Sequence, residues 1–283
     1  MAIPFISGFT VKPASISAIG VVTFTDGTND ITPNQLQCEA YGYIYNKVSG
    51  TCSTFRYNTN LDTSFSNVNN NIKGSTNSAG TGVDNILIMG ERNTINGFAR
   101  NSIVSGNTNI ISEGINNTSI SGKMGKAIRQ GEVVLGGGSF NIGAGFTQSS
   151  KIQLSGKTTD ETPTKLNVQD ILGEYITLQR NSILGYEIYV TRLETGGTSG
   201  TVGQFSYRKN NGAARCSSSN PIIIYDFQTK NIAKKGVNAS FEVVDSTSGG
   251  IPSITIQVTG AADVNNLWSA TVYLHELATN IAF

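Results

Sequence analysis

The chain is poor in groups that do chemistry. His275 is the only histidine among 283 residues, and it falls in an alternating stretch on the face opposite Trp268 and Leu274. A lone histidine in a strand is a surface or satisfied residue, and no second one joins it to hold a metal. The cysteines are Cys38, Cys52 and Cys216, too few for a disulfide framework or a zinc cluster. Cys38 and Cys52 flank Tyr41, Tyr43 and Tyr45. Two packed thiols across a hairpin are the simpler reading there, and a local disulfide is the alternative. No serine or cysteine stands in a Gly-x-Ser-x-Gly setting, and there is no Walker motif. Gly136-Gly137-Gly138 follows no strand–helix context that would bind phosphate, and it reads as a hinge. Paired carboxylates in a groove can cleave a glycosidic bond. Residues 58–138 offer Asp84, Glu91, Glu113 and Glu132, but Glu91 and Glu113 are not at equivalent positions of neighbouring repeats. Asp160, Glu161 and Asp170 read as a solvated link. The expectation is a chain with no catalytic residue, no cofactor and no metal, and not an enzyme.

Composition narrows the partners. Charged residues are 14% of the chain, against a typical quarter. The net charge is +1 with no basic cluster, which argues against nucleic acid. Lys234-Lys235 reads as a solvated turn. Met1–Gly8 lacks a basic n-region and a sustained apolar h-region, so no secretory signal is expected. No stretch is long enough to span a membrane, and no membrane insertion is expected. The 32 glycines, with abundant Asn, Ser and Thr, suit short strands and tight turns rather than long helices.

The elements that must position any site begin with a repeat. Gly74, Gly90, Gly106, Gly122 and Gly136 recur at intervals of 16, 16, 16 and 14 residues, each preceded two positions earlier by Ile72, Ile88, Val104, Ile120 or Val134. Asparagines such as Asn101 and Asn117 flank the array, and Ile95, Ile111 and Ala127-Ile128 supply a second apolar point. A fixed period with an apolar rung predicts a solenoid with the glycines at its corners. The rung residues are expected to form the stem core and to need other chains to cover them. Three segments follow: residues 1–57, a small unit with a strand over Ile19–Phe24 and a Tyr-rich hairpin; 58–138, the repeat stem; and 139–283, an antiparallel head.

Period-2 alternation predicts head strands at Tyr175–Arg180, Tyr186–Leu193, Gln204–Arg208, Ile222–Gln228, Ala239–Val244, Ser253–Thr259 and Leu267–Glu276. Ile254, Ile256 and Val258 share one face, as do Trp268, Ala270, Val272 and Leu274, and the pattern fits a β-sandwich of jelly-roll type. The fold class is all-β: a β-roll or β-helix stem followed by that sandwich. Glu194–Thr201 and Lys209–Asn220 read as polar loops, with Thr198, Ser199, Asn210, Asn211 and Arg215 as candidate binding residues.

Asn101-Ser-Ile-Val-Ser-Gly106-Asn-Thr resembles the head repeat of trimeric autotransporter adhesins, a left-handed β-roll. Ser149–Asp160, Asn181–Thr191 and Leu267–Tyr273 resemble bacteriophage tail-fibre and virion-appendage proteins, over most of residues 130–283. These resemblances imply a homotrimeric virion fibre or spike subunit, held on the particle by contacts of its N-terminal segment with other virion proteins. The head would bind a host surface glycan or protein. A capsid-surface fibre or decoration protein without a receptor is the alternative, and a glycan-cleaving tailspike is a lesser one.

Overall fold

The structure is a computed structural model that describes residues 11–17, 20–54, 69–140, 143–218, 222–236 and 239–283. It divides into two compact units, Met1–Leu61 and Asp62–Phe283. In the first, β1 (Lys12–Ile16), β2 (Val22–Thr25) and β3 (Asp30–Ile31) form an antiparallel sheet. The helix α1 (Gln35–Ala40) begins at a capping box in which the Asn34 side chain accepts from the Gln37 amide and the Gln37 side chain accepts from the Asn34 amide. A hairpin of β4 (Ile44–Asn46) and β5 (Thr51–Ser53) completes the unit. Its small core is Val22, Phe24, Cys38 and Cys52. The two cysteines are joined as a disulfide, which corrects the reading of two packed thiols across a hairpin. Cys38 lies on α1 and Cys52 on β5, and both face the same core. The strand expected from Ile19 starts at Val22, and Ile19 itself lies outside the described residues, as do residues 1–10 and 55–57 of the N-terminal segment.

The second unit opens with a β-solenoid of about four turns. Each turn has a long strand and a short one. The long strands β6 (Asn71–Ser75), β8 (Asp84–Glu91), β10 (Arg100–Asn107), β12 (Ser119–Lys123) and β14 (Val133–Gly137) pair in parallel, while β7 (Ser78–Ala79), β9 (Thr94–Ile95), β11 (Ile110–Ile111) and β13 (Lys126–Ala127) stack opposite them. Ile72, Ile88, Val104, Ile120 and Val134 stand in one continuous register across the long strands. Ile88, Val104, Ile120 and Val134 are at most 1% exposed, packed against Ile95, Ile111 and Ala127 of the short side. Each such aliphatic contributes about 1.5–3 kcal/mol by burial. One chain therefore covers its own rungs, which corrects the expectation that other chains must do so. Gly74, Gly90, Gly106 and Gly122 have φ of 97° to 124° and sit inside the long strands, bending each towards its short partner.

A buried asparagine ladder fills the bend. Asn77, Asn93 and Asn109 are fully buried. The Asn93 side chain donates to Gly106 O and to Asn77 Oδ1, and its own Oδ1 accepts from the Asn109 amide. Asn109 repeats the pattern towards Gly122 O and the Gly125 amide. Each side chain thus binds the backbone of the next turn, leaving the interior polar groups satisfied.

After the last turn the main sheet continues. The strand β15 (Thr147–Thr158) pairs antiparallel with β14, so Gly136-Gly137-Gly138 does not interrupt the sheet, contrary to the hinge reading. The remaining strands are β16 (Thr164–Lys165), β17 (Asn167–Val168), β18 (Ile176–Thr177), β19 (Ser182–Gly196), β20 (Phe205–Cys216), β21 (Ile222–Lys235), β22 (Ser240–Ser248), β23 (Ile251–Thr259) and β24 (Asn265–Ala278). The order β21-β20-β19-β24-β15-β14-β12-β10-β8-β6, with β17 beside β15, makes one 11-stranded sheet. A second sheet of β16, β18, β22 and β23 covers its head half. Between them lies a core that includes Ile152, Leu154, Tyr186, Ile188, Ile254, Ile256, Val258, Trp268, Val272 and Leu274. The architecture is all-β, as the alternation and the repeat predict.

Two devices bind solenoid to head. The Gln148 side chain accepts from the Lys126 amide at 2.8 Å and donates to the Lys126 carbonyl at 3.0 Å. It imitates the backbone of a further turn and closes the open edge of the short sheet. Beside it, Arg129 is fully buried and pairs with Glu132 (2.6 Å) and Glu276 (3.1 Å), while its Nε donates to Thr177 O at 2.7 Å. Burial opposes the guanidinium charge, but the two carboxylates outweigh it and hold its pKa above the ordinary value.

Candidate functional site

Alternation along the 11-stranded sheet gives it an inner face, covered by the short solenoid strands and the second head sheet, and an outer face. The register defines rows across the outer face. One runs Leu87, Ile103, Ser119, Val133, Lys151, Tyr273, Glu187, Asn211. The next runs Met89, Ser105, on to Ser121, Leu135, Ser149, His275, Gly185, Ala213.

The face changes character along these rows. On the solenoid half it is largely apolar, with the exposed Lys73 in register beside Met89 at its edge: Met89 is 40% exposed, Ile103 48%, Val133 51% and Leu135 58%. On the head half it becomes aromatic and charged, with a shallow groove of about 730 Å³ lined by Lys151, Glu187, Tyr189, Thr191, Tyr207, Thr271, Tyr273 and His275. Tyr189 stacks on Tyr207 with ring centroids 6.0 Å apart and meets Tyr273 edge-on at 6.1 Å. Lys209 lies 5.2 Å over the Tyr189 ring and binds Glu187 at 2.8 Å. That hydrogen bond and the lysine charge hold the Glu187 carboxyl below its usual value, with further help from Tyr189 and His275, and Glu187 in turn raises Lys209. Lys151 stands 5.8 Å over the Tyr273 ring and forms no ion pair among the described residues. The groove therefore presents aromatic faces, one neutralised ion pair and one uncompensated ammonium group.

The candidate residues read from the sequence are distributed otherwise. Thr198 and Ser199 are exposed in the turn after β19. That turn is tied down by the buried Glu194, whose carboxylate accepts from the Thr201 amide and whose backbone pairs with Gln204 and Gly203. Asn210, Asn211 and Arg215 lie inside β20 rather than in a loop, because β19 and β21 flank that segment and satisfy its backbone on both sides. Asn210 is buried and its side chain donates to Thr229 Oγ1, whereas Asn211 is exposed beside Glu187 in register. Lys234 and Lys235 likewise extend β21 instead of forming a turn. His275 is exposed on the outer face, away from the buried Trp268 and Leu274. Among the described residues no group of three or more His, Cys, Asp or Glu is placed to hold a metal. Of the stem carboxylates, Glu132 is consumed by Arg129, and Glu91 pairs with Arg92 at 3.4 Å. The tyrosine groove has no local sequence signature, since its lining comes from four strands that are neighbours in the sheet but are spread along the sequence from β15 to β24.

No protein-family model matches the chain, and no curated protein matches it in sequence. Solved structures similar to it are phage tailspike proteins. The tailspike of Acinetobacter baumannii bacteriophage Fri1, a capsular polysaccharide depolymerase, is 8% identical with a TM-score of 0.30, covering 76% of this chain and 38% of that one. The tailspike of Acinetobacter baumannii phage AM24 is 8% identical with a TM-score of 0.28, covering 73% and 55%. That of Acinetobacter phage vB_ApiP_P1 is 9% identical with a TM-score of 0.22, covering 74% and 47%. The chain thus spans between about two fifths and just over half the length of these structures. None of them bears on the autotransporter likeness. The expectation that the chain is not an enzyme is corrected at this point, because a structure it matches is a polysaccharide depolymerase.

Proposed function

We propose that the chain is a subunit of a phage tail appendage that assembles as a homotrimer along its solenoid and presents its head to the host surface. The observation that supports assembly is the run of apolar side chains on the outer face at Leu87, Met89, Ile103, Val133 and Leu135, with Lys73 at its edge. Charge depletion with exposed aliphatics is the composition of an interface core. A second copy is the occupant that fits this face best. The face is built from turns of nearly constant length, so a parallel copy meets each rung with its own equivalent, whereas an unrelated partner would need a matching period. Parallel copies require a rotation axis along the stem, and three of them enclose the apolar faces around it. The head half carries Lys151, Glu187, Lys209 and His275 and is left for recognition. Such a subunit resides on the virion.

Light scattering on the full chain tests the assembly. The expected mass is three times 30.0 kDa. Ile103→Lys with Val133→Lys should release folded monomers, since both side chains are exposed within one chain. A wild-type monomer at micromolar concentration would end the reading.

A further inference from the structure

We propose that the tyrosine groove is a binding site for an acidic sugar, a pyranose bearing a carboxylate. This rests on the reading of the head as a host-surface module and names the ligand class of that module. A sugar ring has an apolar face of C–H groups and an edge of hydroxyls. Tyr189, Tyr207 and Tyr273 offer aromatic faces and hydroxyl tips of matching character, at centroid spacings of about 6 Å. The groove is open and shallow, as suits a chain of sugars lying across a sheet rather than a small molecule swallowed by a cavity. Thr191 and Thr271 line it with hydroxyls that can donate or accept.

The charges select the acid. Lys209 is already neutralised by Glu187 and draped over Tyr189. Lys151 is exposed, lies over Tyr273, and has no carboxylate partner among the described residues. A carboxylate on a sugar stacked at Tyr273 would meet that ammonium and could also accept from His275 two residues along β24. Glu187 faces the same groove, but its charge is engaged by Lys209. A neutral sugar would stack equally well yet leave Lys151 unmet. A strongly polyanionic ligand such as nucleic acid would need several free cations, and the groove supplies one.

The test uses the full chain and a tetrasaccharide alternating glucuronate and N-acetylglucosamine, set against the same tetrasaccharide with its carboxylates reduced to alcohols. Binding is followed by calorimetry and by saturation-transfer NMR, with the mass of each sample measured alongside. The acidic form should bind about tenfold tighter than the reduced form, the scale of one charged hydrogen bond, and added salt should narrow the gap. Lys151→Gln should erase the discrimination while retaining the weaker binding, and Tyr273→Ala should abolish both. All these side chains are solvent-facing, so the variants should melt like the parent. Equal binding of the two sugars, or discrimination that survives Lys151→Gln, would overturn the proposal. So would a Tyr273→Ala variant that changes mass instead of sugar binding, because the groove would then be a contact between copies. A trimer that binds neither sugar overturns the groove assignment and leaves the assembly reading standing.

Discussion

Replacing Gly106 by alanine separates two costs that a repeat glycine can carry. Its φ is 114°, in a region that side chains avoid at about 1–2 kcal/mol. In addition, a Cβ built there lands well inside contact distance of the Gly122 carbonyl oxygen and 3.0 Å from its carbonyl carbon. Both are backbone atoms of the next turn, so neither can swing aside. Relief requires the two turns to part, and that pulls Gly122 O from the Asn109 amide that binds it at 3.0 Å. An unsatisfied buried acceptor adds about 1–3 kcal/mol. The total is about 2–5 kcal/mol. Gly114 is the internal control: its φ is 70°, but a Cβ there meets nothing within 4 Å. Gly114→Ala should therefore cost only the conformational part, about 1–2 kcal/mol. The difference, about 1–3 kcal/mol, corresponds to some 2–12 °C in a unit of this size. Thermal melts of the two variants, followed by circular dichroism in parallel with urea midpoints, measure it. Equal shifts for Gly106→Ala and Gly114→Ala would show that inter-turn contact is not what the glycine preserves.

Two other positions test the interior. Asn93→Ala removes the acceptor of the Asn109 amide and the donor to Gly106 O, so it should lower stability by about 2–4 kcal/mol, whereas Asn71→Ala, on the exposed side of the coil, should change it by less than about 0.5 kcal/mol. Comparable urea midpoints for the pair would refute the buried ladder. Arg129→Met leaves Glu132 and Glu276 buried without a cation and should cost about 3–5 kcal/mol. Adding Glu132→Gln and Glu276→Gln should restore much of the loss, and failure of that rescue in a chemical denaturation series would mean that Arg129 acts through packing instead.

What was legible in the sequence is what repeats or alternates locally. Ile88, Val104 and Ile120 announce the solenoid because each turn solves the same burial problem with the same residue at the same place. Seven of the ten head strands are legible from alternation, as Ile254, Ile256 and Val258 show, although β18 is only Ile176–Thr177; the long β15 and the short β16 and β17 are not among those expected. The ladder of Asn77, Asn93 and Asn109 could have been found too: each follows a repeat glycine by three positions. Arg92, Thr108 and Met124 also adopt positive φ, and nothing in those residue types signals it. Lys209–Asn220 looks like a loop by composition, yet in Lys209–Cys216 strand partners on both sides decide the conformation, since strand preference depends on neighbours more than on residue type. The groove was hidden for a related reason. Inserting β24 between β15 and β19 brings Tyr273 between Lys151 and Glu187, and no local pattern encodes that order.

The same topology explains why surface and interior can change independently. Inside, each solenoid turn is closed by its own rung, the first three also by the asparagines Asn77, Asn93 and Asn109, and the last turn is capped by Gln148 and stapled by Arg129 to strands of both head sheets. None of these groups reaches the outer face. There, alternation places Ile103 and Val133 next to the buried Val104 and Val134 without involving them in the core. The outer residues are thus free of folding duty, and an aliphatic left 40% to 58% exposed at Met89, Ile103, Val133 and Leu135 gains nothing for a single chain. In water such side chains are better replaced by polar ones. Along the stem half, where Lys73 stands beside Met89, they are what the proposed assembly would cover, while the head half combines the aromatic and charged groove with exposed aliphatics of its own at Ile183, Leu193, Leu267 and Leu277.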